Sequence, residues 1–144
     1  MRVLLEFLLK YLDFLYLDPR YRITDSKTRG DNASLTITGP DLIWHVANDR
    51  GQMQLSITPT RLATARNGFW VSLIKQYVDG DEEIHYLSAL DEIRWMRENG
   101  NRVEQLFSDA STIETTCEDL KVLRRANADK YWSRWREQQG LSEP

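Results

Sequence analysis

Asp49 and Arg50 place opposite charges side by side within the run Asn48, Asp49, Arg50, Gly51, and such a couple could work in an active site or grip a charged partner. The same four residues tolerate turn and left-handed backbone conformations, and alternating apolar runs flank them on both sides. A four-residue hairpin loop therefore accounts for the motif without chemistry. A loop tip held by two strands is equally a good place to present a contact to a partner.

Carboxylates supply the second set of candidates. Asp81, Glu82 and Glu83 form an acidic run, and pairs recur at Asp91 with Glu92 and at Glu118 with Asp119. Acid–base work needs two carboxyls in contrasting environments, whereas acidic runs at turns and helix starts are solvated faces or partners of a helix dipole. Nucleophilic catalysis needs a base within reach of Ser or Cys, and only His45 and His85 are available. His45 alternates with Trp44 on the opposite face of an extended run. Cys117 falls on an apolar helical stripe, where a thiol acts as a small hydrophobe. No zinc-type Cys/His spacing occurs, and the seven glycines stand singly, so no glycine-rich loop cradles phosphate. These features predict no cofactor, no metal and no enzymatic activity.

Between 121 and 137 the chain carries Lys121, Arg124, Arg125, Lys130, Arg134 and Arg136 among Tyr131, Trp132 and Trp135. Arginine beside aromatic rings can stack on bases while neutralising phosphates. On a helix, however, these cations spread around the cylinder, and cations near a helix C-terminus also match its dipole. The net charge of −3, from 19 basic and 22 acidic residues, supplies no global attraction to nucleic acid or an anionic membrane.

The elements that position these residues follow from periodicity. Residues 1–17 are mostly apolar, with Arg2, Glu6, Lys10 and Asp13 on one narrow polar stripe, which predicts a largely buried helix ended by Pro19. The interrupting charges argue against a signal peptide or a membrane span. Residues 21–24 could be extended, and 25–32 read as a surface loop. Period-two alternation at 33–38, 42–47 and 52–58 predicts strands, the last with a wet face bearing Gln52, Gln54 and Ser56. Residues 69–78 fit a helix capped by Asn67 and ended by Gly80, with a strand as the competing assignment. A helix start at Ser88 leads to a break at 99–101. Ser111 and Glu114 have capping-box spacing ahead of a stripe through Ile113, Cys117, Leu120, Leu123, Asn127, Tyr131 and Trp135. Most of the five tryptophans are expected in the core.

The segment from Asn32 to Thr58, with Asp49, Arg50, Gly51 and Gln52 at its turn and Phe69 and Trp70 leading the next element, resembles small bacterial proteins that join an N-terminal helix to a short meander. In size, acidity and make-up the chain also resembles immunity proteins. That resemblance implies a protein that neutralises a cognate toxin domain by direct binding. The expected architecture is one α+β domain over 1–139 with a frayed tail at 140–144. It comprises an N-terminal helix, a three- or four-stranded antiparallel meander, and two or three C-terminal helices on one sheet face. The lone cysteine fits a reducing cytoplasm. Candidate partner-binding residues are Asp49, Arg50, Asp81, Glu82 and Glu83; nucleic acid through the 121–137 helix is the alternative, and no membrane contact is expected.

Overall fold

Each alternating run forms a strand of one antiparallel meander, in a computed structural model that describes residues 1–140; the rest of the expected tail lies outside the described residues. The strands are β1 (Arg22–Arg29), β2 (Asn32–Thr38), β3 (Leu42–Asp49), β4 (Gln52–Pro59) and the two-residue β5 (Phe69–Trp70), neighbours in that order. Two short helices precede the sheet, α1 (Arg2–Tyr11) and α2 (Asp13–Tyr16), and three follow, α3 (Val71–Asp79), α4 (Ala89–Ser108) and α5 (Ile113–Gln138). The α+β architecture is as expected, with four full strands and the two-residue β5 added at the sheet edge. No helix among the described residues is long and apolar enough to cross a membrane.

Alternation sorts the sheet into two faces. Leu35, Ile37, Leu42, Trp44, Val46, Leu55 and Ile57 are buried with Leu4, Leu8, Leu12 and Leu15 of the N-terminal helices and with Ile93, Met96, Phe107 and Leu120 of α4 and α5. Ser34, Thr36, His45 and Ser56 are only partly buried on the other face.

Segment 25–32 is not the expected loop. Its first five residues extend β1, pairing from Asp25 with Thr36 to Arg29 with Asn32, and only Gly30 and Asp31 turn. Every β1 residue is exposed, so neither face imposed an apolar alternation that the sequence could display. The hairpin at Asp49 is tighter than expected. Asn48 and Asp49 belong to β3, and Arg50 and Gly51 alone make the turn, with φ of 51° and 91°. Two central residues with positive φ are what a two-residue hairpin demands.

The N-terminal helix breaks where one continuous helix was predicted. Arg97 Nη2 donates to the Tyr11 carbonyl at 3.1 Å, while Leu15 N–H bonds Leu12 O at 2.9 Å instead of reaching four residues back. A guanidinium from α4 thus replaces a rung of the helix ladder. Val3, Leu5, Leu9 and Leu17 are exposed, so this helix is less buried than its composition suggested.

The helix at 69–78 starts later than expected, because Phe69 and Trp70 first pair with Ile57 and Ser56 as a strand. Asn67 does not cap it; the buried Glu92 does, accepting from Ser72 N and Ser72 Oγ, each at 2.9 Å. Gly80 ends it at φ 72°, as predicted. Nor do residues 99–101 break α4, since Val103 and Phe107 continue the buried face of Ile93 and Met96. The capping box at Ser111 does not form. Ser111 Oγ donates to Asp109 at 2.6 Å and α5 starts at Ile113 without a side-chain cap, because Asp109 organises the short turn between the helices.

Two glycines give opposed predictions. A methyl on Gly39 would stand 2.3 Å from Tyr21 Cε1, and that ring is held by a 2.7 Å hydrogen bond from its hydroxyl to Glu104. Gly39→Ala is expected to cost about 1–3 kcal/mol in urea unfolding. Gly100 meets nothing within 4 Å and sits in a helix interior, so Gly100→Ala is expected to stabilise by about 0.5–1 kcal/mol.

Glu92 gives a pH prediction. Burial raises its carboxyl above the ordinary 4.5, more than the Ser72 hydrogen bonds lower it. The folded state therefore binds the proton more tightly than the unfolded chain. Its contribution to stability is full below the unfolded value and is lost as pH rises through the folded one. Glu92→Gln, which still accepts from Ser72, is expected to flatten that part of the stability–pH curve. Glu92→Ala leaves the buried Ser72 N–H unpaired and is expected to cost about 1–3 kcal/mol, read by denaturation across pH.

Candidate functional site

Strand alternation places Trp70 outside. Its neighbour Phe69 pairs with Ile57 in the core, so Trp70 pairs with Ser56 on the open face. The registers continue from Ser56 to His45, Thr36 and Asp25, a row that crosses all five strands. His45 Nδ1 lies 3.4 Å from Thr36 Oγ1, and partial burial lowers its pKa, which favours the neutral imidazole. The row borders a shallow cleft of about 450 Å³ that Thr64, Ala65 and Gly68 enclose on one side.

On its other side Trp70 forms one wall of a groove of about 420 Å³, completed by Leu73, Ile84, Tyr86, Arg124, Tyr131 and Trp132. A smaller depression of about 270 Å³ continues from it, sharing Ile84, Tyr86, Asn127 and Tyr131 and adding Glu83, Lys130 and Arg134. The groove exists because α5 outruns its support. A 26-residue helix is about 39 Å long. Its buried residues are Ile113, Thr116, Cys117 and Leu120, all in the first third. Beyond them it stands against the linker between α3 and α4.

Specific bonds fix that linker. Asn127 Nδ2 donates to Gln76 Oε1 at 2.7 Å, and Gln76 Nε2 returns a bond to Asn127 Oδ1 at 3.1 Å. Lys130 Nζ donates to the Glu82 carbonyl at 3.0 Å, and Arg134 Nη2 meets Glu83 Oε1 at 2.5 Å. Arg124 reaches the carbonyls of Gly68 and Arg66 at 3.0 and 3.1 Å and covers the Phe69 ring at 5.3 Å. The rings are free of the core: Trp70 is 48% exposed, Tyr86 76%, Tyr131 63%, Trp132 53% and Trp135 41%. Trp132 meets Tyr131 and Trp135 edge-on, at 5.4 and 5.9 Å between centroids.

The structure separates the sequence-predicted site residues. Asp49 and Arg50 lie at a sheet end, 3.4 Å apart, with the turn held by Asn48 Oδ1 accepting from Gly51 N at 2.9 Å. Asp81, Glu82 and Glu83 follow α3, where Gln76 Nε2 donates to the Asp81 carbonyl at 3.3 Å. Arg134 holds the Glu83 carboxyl below its ordinary range. Glu83 lines the depression; Asp49 and Arg50 line neither it nor the groove. Cys117 is buried, and burial pushes its thiol up.

The expectation that most tryptophans are core is corrected. Trp44 and Trp95 are buried, while Trp70, Trp132 and Trp135 are not. Sequence reasoning missed the aromatic groove by extending the α5 stripe to Trp135. A signal was present: no Leu, Ile or Val follows Leu123 on that helix, and charged or small residues surround its rings. No protein-family model, curated protein or solved structure matches the chain.

Proposed function

We propose that this chain is a non-enzymatic protein-binding module of the immunity-protein type, which neutralises a cognate toxin domain by direct binding, and that the groove seats the partner's anchor. The supporting observation is the group of exposed rings Trp70, Tyr86, Tyr131 and Trp132 around one concavity. Tryptophan, tyrosine and arginine are the residues enriched where binding energy concentrates, in pockets ringed by polar groups. Arg124, Lys130 and Arg134 line the two depressions against the single carboxylate Glu83. That balance suits a partner segment with an apolar anchor beside acidic residues. Asp81 and Glu82 precede Glu83 in the chain and line neither depression; they would serve as outer contacts, and Asp49 and Arg50 as a separate rim contact.

A nucleic-acid ligand fits less well. Lys121 is paired with Glu118 and Arg134 with Glu83, and the cations of α5 spread around the helix instead of following one phosphate track.

The test is titration with the purified product of the adjacent gene, followed by calorimetry, beside single-stranded DNA and RNA at low salt. A saturating one-to-one protein complex without turnover supports the reading. Absence of binding by that product, or nucleic-acid affinity falling steeply with salt, overturns it.

A further inference from the structure

The N-terminal helices expose apolar surface that the partner reading does not use, and no residue of α1 or α2 lines the groove or the depression beside it. Leu4 and Leu8 bury one side of α1, while Leu5 and Leu9, one turn apart, stand clear of the core, Leu9 at 62% exposure. The Tyr16 hydroxyl donates to the Leu9 carbonyl at 3.0 Å and so draws Tyr16 back beside it, and Leu17 follows at 72% exposure. Apolar residues grouped in this way mark a contact site, unlike single surface leucines.

A charged row on the solvent side of the same segment shows what covers it. Arg2, Glu6, Lys10 and Asp13 alternate in sign at intervals of four, four and three. Arg2 lies 3.0 Å from Glu6, but both side chains are exposed and such a pair is weak. Lys10 stands 5.2 Å over the Tyr11 ring and makes no ion pair among the described residues. Asp13 is shared with Arg97 at 2.7 Å. Turned end for end, the row is its own complement. A second copy laid antiparallel across a two-fold axis at the middle of α1 sets Glu6 of each chain against Lys10 of the other, with Arg2 towards Asp13 at both ends. The same axis sets Leu5 against Leu9 twice, as an isologous contact requires. A parallel arrangement in register would oppose like charges throughout.

We propose that this chain forms a two-fold dimer through α1, with Leu5, Leu9 and Tyr16 at the seam and the two Glu6–Lys10 pairs beside it. A ten-residue helix is about 15 Å long, so the contact is smaller than a standard interface of about 1,600 Å². The dimer is accordingly weak, half formed at a concentration on the order of 100 μM.

The experiment is sedimentation equilibrium of the full chain from about 10 μM to about 1 mM, with circular dichroism and thermal melting to confirm that each variant folds. Leu9→Glu is expected to weaken the dimer about tenfold or more. Glu6→Lys and Lys10→Glu, made singly, each oppose like charges twice and are expected to weaken it to a similar degree. An equimolar mixture of those two variants restores opposite charges across the axis and is expected to recover wild-type association as a heterodimer. Charges that act only within their own helix would give no such recovery. Trp132→Ala should leave the dimer unaltered. A chain still monomeric at about 1 mM, a dimer indifferent to Leu9→Glu, or a mixture as weak as its components would each overturn the proposal. So would binding to phosphatidylglycerol vesicles without self-association, which would assign the face to a lipid surface.

Discussion

Trp44→Ala is expected to cost about 3–5 kcal/mol, the range for truncating a large aromatic in a close-packed core. Trp44 is fully buried at the middle of β3, where Ile37 and Ile57 oppose it from the neighbouring strands. The Phe14 ring packs edge-on at 5.7 Å, so the same side chain ties the N-terminal helices to the sheet. Against a typical total of about 5–15 kcal/mol, the loss would remove roughly a fifth or more of the stability. Urea unfolding should show a lower midpoint with an unchanged slope. Trp44→Phe keeps a ring and deletes an N–H that has no partner among the described residues, so its cost should be much smaller. Equal losses in the two variants would mean that ring packing is not what Trp44 contributes.

The second large effect belongs to binding. Once a partner is in hand, Trp132→Ala is expected to weaken the complex by about 2 kcal/mol or more, roughly thirtyfold. Trp132 is half exposed and the rings it meets, Tyr131 and Trp135, are themselves exposed, so its removal should leave unfolding nearly unchanged. Replacing Asp49, Arg50, Asp81, Glu82 and Glu83 together with alanine is expected to weaken binding about tenfold, near 1.4 kcal/mol, through the rim and the association rate. Loss of Glu83 also releases Arg134, so that figure includes a disturbed groove wall. Calorimetry on both variants ranks the surfaces. A stronger effect from the five-residue variant would move the anchor away from the groove.

Period-two alternation determined β2, β3 and β4 and their buried faces from sequence alone, because one face of each lies on the core and the other does not. Turn chemistry placed the hairpin within 48–51, which the structure narrows to Arg50 and Gly51, and Gly80 marked the end of α3. The same rule was silent on β1, whose pairing rests on backbone bonds to β2 while all its side chains stay exposed. Helical periodicity in turn misjudged Trp70 by starting the helix at 69, whereas two residues of strand send Phe69 and Trp70 to opposite faces.

What tertiary structure alone decided are the places where a group distant in sequence replaces a local partner. Arg97 takes the Tyr11 carbonyl and breaks the first helix, and Glu92 caps α3 in place of Asn67. The groove belongs to the same class, since an apolar stripe states only which residues share a helix face. Whether that face is covered depends on how far the neighbouring elements reach, and here they stop near Leu120. Local periodicity records the burial that a segment's own geometry imposes; the exposure of Tyr131 and Trp132 was set by the lengths of other segments.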